Sequence, residues 1–438
     1  MIDIIKLIRS IDWFIILAVI MLMIIGIMFI YSSGITSSGE LVSTEYIRQI
    51  IWAISGIFLI LALTLLEPKR LPDYTPIIYI LTAAMLIYTR FFGKVVNGAR
   101  SWVGIGDFGI QPSEFMKIAT MLFLAKYLDS SRHEGSSVKR FITSFGIVLF
   151  PMALVLTQPD FGTALVFLPL YLVMAYVGGI NRRYLVFITL FGTIAIVLTI
   201  IPLWQILITA TPSLALRLFY EAPFVYYILG VITATFILAV LGLRFFKKRY
   251  YYWIAFFSSI SGLGIAASLA GHKILKGYQL MRLVVFLDPG IDPLGAGWHI
   301  LQSITAIGSG GLTGKGFLQG TQSHYRYLPE QSTDFIFSII SEEMGFAGGV
   351  VIFSLYLFIL IRLVLSLRNI KSQFQITFVA GLFGIILFHF LINTGMAMGI
   401  MPITGIPLLF LSYGGSSLWA VSVGLGLALG IGARRFET

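Results

Sequence analysis

The chain has 438 residues, of which 58% are hydrophobic and 11% charged, with a mean hydropathy of +0.94 and no cysteine. That much apolar surface cannot be hidden in an ordinary soluble domain, so the composition points to a polytopic membrane protein, and thiol or disulfide chemistry is excluded. A net charge of +11 suits basic loops facing anionic headgroups and argues against nucleic acid as a partner.

Apolar runs long enough to cross a bilayer, or nearly so, fall near 13–32, 47–66, 74–89, 113–128, 141–157, 163–179, 184–204, 223–243, 250–270, 334–365, 375–395 and 415–433. They predict an all-α polytopic bundle of about 12 transmembrane helices, an even number that leaves both termini on one side. Trp13–Ser32 has no small-residue cleavage site after it and reads as a retained span. Lys6, Arg9, Lys69, Arg70, Arg132, Lys139, Arg140, Arg182, Arg183, Arg244, Lys247, Lys248, Arg249, Arg368, Lys371, Arg434 and Arg435 all fall on alternate short loops together with the termini. The termini are therefore assigned to the cytoplasm. The opposite segments, 33–46, 90–112, 158–162, 205–222, 271–333 and 396–414, then lie outside. The segment 271–333 is polar, rich in Gly and Pro, and far longer than an ordinary connection, which marks it as functional. No fixed-period repeat or inverted duplication is visible, and the five histidines show no metal-ligand spacing.

In chain order, the first chemical signal is "NGARSW" and "QPSEFMK" within 90–117. Pro112-Ser113-Glu114 reads as a helix start, with the glutamate at the positive end of the helix dipole. Glu114 and Lys117 share a face and are expected to pair. Such a pair either neutralises itself at a helix mouth or lines a polar cavity for a substrate. In "LTQPDFGTAL" (156–165), Asp160 is expected to cap a turn and shape the site rather than react. "FLDPGIDPLGAGWHILQS" (286–303) puts Asp288 and Asp292 on backbone stiffened by Pro289 and Pro293 and freed at Gly290, Gly295 and Gly297. They are either turn-forming Asp-Pro steps or a base held rigidly over a membrane cavity. "GSGGLTGKGFLQGTQS" (308–323) fails the spacing of a nucleotide phosphate loop and reads as a flexible loop whose one cation, Lys315, could touch an anionic headgroup. In "LPEQSTDFIFSIISEEMG" (328–345), Ser332, Thr333 and Asp334 are helix-cap candidates, which sets Glu342 and Glu343 about 12–14 Å into the helix, where they need partners or water. "MPITGIPLLFLSYGGSS" (401–417) breaks a helix at membrane depth. His389 and Asn393, one turn apart, are expected to bond between helices.

These stretches, together with "AIGSGGLTGKG", "GTQSHYRYLPEQSTDFIFSIISEEMGF" and Pro407–Ser417, run from 97 to 417 and resemble the SEDS family (shape, elongation, division and sporulation). Residues 292–323 are closer in form to its elongation member than to its division member. The family usually has about ten spans. Here 205–270 is expected to add a helix pair to a single membrane domain over 1–438. The resemblance implies a peptidoglycan glycosyltransferase in the bacterial cytoplasmic membrane, polymerising lipid II at the outer face during elongation. Its implied partners are a class B penicillin-binding protein (the cross-linking transpeptidase) and the elongation machinery. Asp292 matches the family's essential aspartate, and Glu114 and Lys117 its interacting pair. Around Asp292, acting as general base in an inverting displacement, supporting roles are expected for Arg100, Asp160, Arg282, Asp288, Lys315, Glu330, Ser412 and Ser416. The leaving pyrophosphate needs positive charge, from Arg100, Lys117, Arg282 and Lys315 or from a divalent cation, Mg or Mn. A lipid II flippase, a division-type member and a membrane scaffold stay open as other readings.

Overall fold

A computed structural model describes residues 4–96, 98–105, 108–133, 137–208, 218–219, 221–274, 277–368 and 370–434. Asn97 of the first motif, Arg435 of the basic set and much of the 205–222 segment lie outside them. Every expected apolar run is a helix. After a short α1 (Ile4–Ser10) come α2 (Trp13–Ser33), α3 (Glu45–Leu65), α4 (Leu71–Phe92), α5 (Pro112–Ser130), α6 (Ser137–Thr157), α7 (Phe161–Val177) and α8 (Arg182–Ile208). They continue with α9 (Phe224–Phe246), α10 (Arg249–Ile274), α11 (Gly277–Leu287), α12 (Ala296–Ser309), α13 (Thr321–His324), α14 (Ile336–Leu367), α15 (Gln373–Ala397) and α16 (Gly415–Ala433).

Among the described residues, ten helices are long and apolar enough to cross a membrane. The other two long elements fall short for stated reasons. Helix α7 is apolar but has 17 residues, while α5 carries Glu114, Lys117, Lys126 and Asp129. Segment 94–110, for which the sequence reading assigned no structure, holds β1 (Lys94–Val96), β2 (Ala99–Ile105) and β3 (Phe108–Ile110), an antiparallel sheet in that order. Segment 271–333 is mostly helical, because α10 runs to Ile274 and α11, α12 and α13 fill much of the rest. Its prolines and glycines set the joints between short helices.

The helices gather into two compact units, residues 1–181 with 302–438, and residues 182–301. In the first, α15 and α16 are the centre: 72% and 83% of their apolar windows are buried, against 28% for α3, α4, α6 and α14. Small residues make this possible. A Cβ on Gly426 would meet the Ile60 carbonyl at 2.8 Å, and one on Gly430 the Thr64 carbonyl at 2.9 Å, so α16 and α3 touch backbone to backbone. Thr64 Oγ1 donates across this contact to the Gly426 carbonyl at 3.2 Å. In the second unit, α10 packs on both α8 and α9. Arg183 at the start of α8 stacks on Tyr252 and Trp253 of α10, at 5.3 and 5.8 Å from the ring centres.

Candidate active site

The first unit contains a polar cluster built on α5. Pro112 occupies the first helical position, and Glu114 sits in the first turn, as its place near the positive dipole end favours. One turn later Lys117 Nζ lies 2.8 Å from both oxygens of Glu114, and both side chains are almost wholly buried. The expected pair therefore forms. It has a third member that the sequence reading left aside. His389 of α15 places Nε2 3.3 Å from Lys117 Nζ while Nδ1 lies 2.9 Å from the Pro407 carbonyl. A carbonyl only accepts, so Nδ1 carries the hydrogen and Nε2 presents a lone pair to the lysine. Asn393, one turn on, donates to the carbonyls of Asp334 and Ile406, each at 2.9 Å. His389 thus bonds between helices as expected, to α5, and both side chains also pin the irregular segment that precedes α16, which is what non-helical backbone at this depth requires.

Gln111 just ahead of α5 ties three helix beginnings together. Its backbone N–H donates to Ser416 Oγ at 2.9 Å, near the start of α16, and its side chain donates to Asp160 Oδ2 at 2.8 Å. Asp160 Oδ1 in turn caps α7 through Thr163 N–H at 3.1 Å. Asp160 is thus the cap it was expected to be, and the amino ends of α5, α7 and α16 meet. Each brings partial positive charge to the same place. Ser412 is buried and accepts from Leu408 N–H at 2.8 Å, closing a turn of the irregular segment.

Lys315 and the paired glutamates form a second cluster in this unit. Glu342 is fully buried and accepts from Lys315 Nζ at 2.7 Å and from the backbone N–H groups of Thr321, Gln322 and Ser323 at 2.8, 2.9 and 3.3 Å. Glu343 accepts from Ser32 Oγ of α2 and from Leu318 N–H, with His324 Nε2 3.6 Å away. The Gly-rich loop is not a loose flap, because its backbone is stitched into a break in α14. Gly345 sits at φ 64°, and Lys315 and Gly316 donate to the freed Glu342 and Glu343 carbonyls at 3.0 Å each. Gly311 and Leu312 carbonyls take the N–H groups of Phe346 and Ala347. Any side chain at Gly314, φ 81°, would strike the Glu343 carbonyl at 2.0 Å. The glycines are there for this close approach.

Ser332, Thr333 and Asp334 do not cap α14. The helix starts at Ile336 behind Phe335, with no side-chain cap, and Thr333 Oγ1 bonds Glu330 instead. Glu342 is consequently about 9 Å into the helix, shallower than expected. Glu330 is exposed at φ 47°, in the turn that precedes α14. Arg100, also exposed, stands on β2 and donates to the Phe91 carbonyl at 3.2 Å.

The second unit holds the Asp-Pro loop, between α11 and α12. Asp288 Oδ1 accepts from Gly290 N–H at 2.9 Å and starts a 3-10 turn over Pro289–Ile291. The Asp292 carbonyl accepts from Gly297 N–H at 2.9 Å. The carboxylate of Asp292 folds over Gly295, where a Cβ would lie 2.3 Å from Oδ2, and Gly297 fits against the Pro289 carbonyl with only 2.2 Å to spare for a Cβ. Asp292 is half-buried and Arg282 of α11 is exposed. Among the described residues no group of three or more His, Asp or Glu side chains gathers as metal ligands.

A family model described as the cell cycle protein family FtsW/RodA/SpoVE matches residues 12–214 and 226–436. The chain belongs to this family. As a member, it is 46% identical over 424 residues to the peptidoglycan glycosyltransferase RodA of Treponema pallidum (strain Nichols), which covers 97% of this chain and 98% of that one. A probable peptidoglycan glycosyltransferase FtsW of Thiomicrospira cyclica is 29% identical over 434 residues, covering 97% and 92%. A chain from a solved peptidoglycan synthase complex, studied for its coordination of polymerization and crosslinking, matches with a TM-score of 0.68 at 26% identity, over 98% of this chain and 99% of that one.

Proposed function

We propose that the chain is a peptidoglycan glycosyltransferase of the elongation type that joins lipid II units into glycan strands at the outer face of the cytoplasmic membrane, with Asp292 as its general base. Family membership supports the reaction class. The RodA relative that is 46% identical over nearly the whole chain supports the elongation role. The observation that carries the choice of base is the fit of the Asp292 carboxylate over Gly295, in a loop whose turns are set by Asp288, Pro289 and Pro293.

In the step itself, the 4-hydroxyl of an acceptor GlcNAc attacks the anomeric carbon of a lipid-linked MurNAc. The new C–O bond forms as the bond to pyrophosphate breaks, and configuration inverts. Asp292 takes the hydroxyl proton, and undecaprenyl pyrophosphate leaves with the bonding electrons. A pyrophosphate needs no general acid, only positive charge. In the first unit the joined amino ends of α5, α7 and α16 are suited to a phosphate group, and Lys117 there is already held by Glu114 and His389. Lys315 already serves Glu342, so its role is to hold the Gly-rich loop in place. Arg100 and Arg282 are exposed and suited to meet phosphate as it arrives. A divalent cation would add charge at the pyrophosphate, and no step here is routed through one. A class B penicillin-binding protein is the partner that this reading requires to cross-link the product.

Purified full chain supplied with lipid II in detergent should make long glycan, and Asp292→Asn should lower the rate by about 10²–10⁴-fold while leaving the protein folded. Near wild-type polymerisation by Asp292→Asn would remove Asp292 from this role. The interrupted helices at Gly345 and before α16 favour a second reading, a lipid II flippase. A flippase has no membrane to work across in detergent, so glycan formed there decides against it.

A further inference from the structure

A cavity of about 520 Å³ opens at the end of the first unit that holds the α1–α2 junction and the last turn of α16. It lies among the α1–α2 junction and the last turns of α14 and α16, far along those helices from Glu342 and Glu343 and from Ser416. Its charged wall has two guanidinium groups and one carboxylate: Arg9, Arg362 and Asp12. Arg362 directs Nε and Nη2 at Asp12 Oδ2, at 2.8 and 2.6 Å, and its plane lies over the Phe14 ring at 5.4 Å. Asp12 Oδ1 caps α2 through Ile15 N–H. The carboxylate is therefore satisfied from both sides. Arg9 is exposed and makes no hydrogen bond or ion pair among the described residues. The cavity thus carries one positive charge in excess, with the five donors of Arg9 and the Nη1 of Arg362 available.

Apart from Ser10 and Ser366 the rest of the wall is apolar. Phe14 is 62% exposed beside the cavity, Leu429 also lines it, and Trp13 is exposed with its indole N–H bonded to the Ile8 carbonyl. An exposed Trp-Phe pair at the start of a membrane helix marks the boundary between headgroups and hydrocarbon. The geometry points to a binding site for one anionic phospholipid, its phosphodiester on Arg9 and Arg362 and an acyl chain along Phe14 and Leu429. Basic pockets between helix ends on the cytoplasmic side are suited to anionic headgroups. A free phosphate would satisfy the guanidinium groups but leave the apolar wall uncovered. Bound there, the lipid touches the beginning of α2 and the last turns of α14 and α16 together.

The test is native mass spectrometry of the full chain in a non-ionic detergent, titrated with dioleoylphosphatidylglycerol. Dioleoylphosphatidylcholine and glycerol 3-phosphate form the comparison arms. Wild type should retain one phosphatidylglycerol in preference to phosphatidylcholine, and glycerol 3-phosphate should not displace it. Arg9→Gln, which breaks no hydrogen bond or ion pair among the described residues, should weaken that binding about fivefold, while Arg132→Gln on another basic loop should not. Equal retention of the two lipids, displacement by glycerol 3-phosphate, or unchanged binding in Arg9→Gln would overturn the site.

Discussion

Glu342 in the first unit and Asp292 in the second are both acidic residues next to glycine-rich backbone, and they are held in opposite ways. Glu342 is fully buried, with an ammonium and three backbone N–H groups aimed at its two oxygens. Asp292 is half-buried on a turn whose glycines leave space for the carboxylate to lie over them. A carboxylate bound by that many donors anchors a loop, and moving it would unmake the fold around it. Asp292 lies against its own glycine turn, where a shift of the acid changes the loop and leaves the helices in place. The comparison teaches that an acid deep in the membrane can serve the fold rather than the reaction.

The largest effect should come from Glu342→Ala. It leaves the N–H groups of the 321–323 turn without an acceptor and Lys315 with Thr321 Oγ1 but no counter-charge, at a cost of about 3–5 kcal/mol. Thermal unfolding in detergent should show a large fall in Tm; an unchanged Tm would erase the contrast drawn above. Gly295→Ala should do the reverse. Its Cβ cannot coexist with the Asp292 carboxylate at 2.3 Å, so the acid must shift. A displacement of that size should lower polymerisation about 10²-fold, with the Tm held within a degree or two. Normal activity in this variant would show that the fit over Gly295 does not matter.

The Glu114 and Lys117 pair lies between these cases. The double variant Glu114→Gln/Lys117→Met removes both charges together, so stability should change by no more than about 1–2 kcal/mol. If the pair serves the substrate, the KM for lipid II should rise severalfold; an unchanged KM and kcat would make it a structural pair like Lys315 and Glu342. His389→Gln is the mildest. It loses one buried contact to Lys117, worth about 1 kcal/mol, and should lower kcat/KM only a few-fold with little change in Tm. A null result there would separate His389 from the function of Lys117.

Much of this was legible in the chain. The long helices appear where the apolar runs put them, because a bilayer demands continuous hydrogen-bonded backbone and tolerates little else. Pro112 starting α5, Glu114 meeting Lys117 and Asp160 capping α7 follow from contacts three residues apart, which local sequence determines. The partners that sequence left open are distant ones. Lys315 finds Glu342 27 residues away, Lys117 meets His389 272 residues away, and Ser32 reaches Glu343 311 residues away. No periodicity encodes such pairings. The Gly-rich loop was misread as flexible for the same reason: its acceptors are carbonyls freed by a break in α14, which the glycine count alone does not reveal.

The sequence by itself determined that this is a multi-span membrane protein, where its helices lie and which motifs place it in its family. Only the tertiary structure decided that α15 and α16 form the centre of the first unit, although α2, more apolar than either, does not. The physical reason is that lipid and protein interior are equally apolar, so hydropathy cannot distinguish them. What selects the central helices is how closely backbones approach at residues such as Gly426 and Gly430, and that depends on the helix opposite.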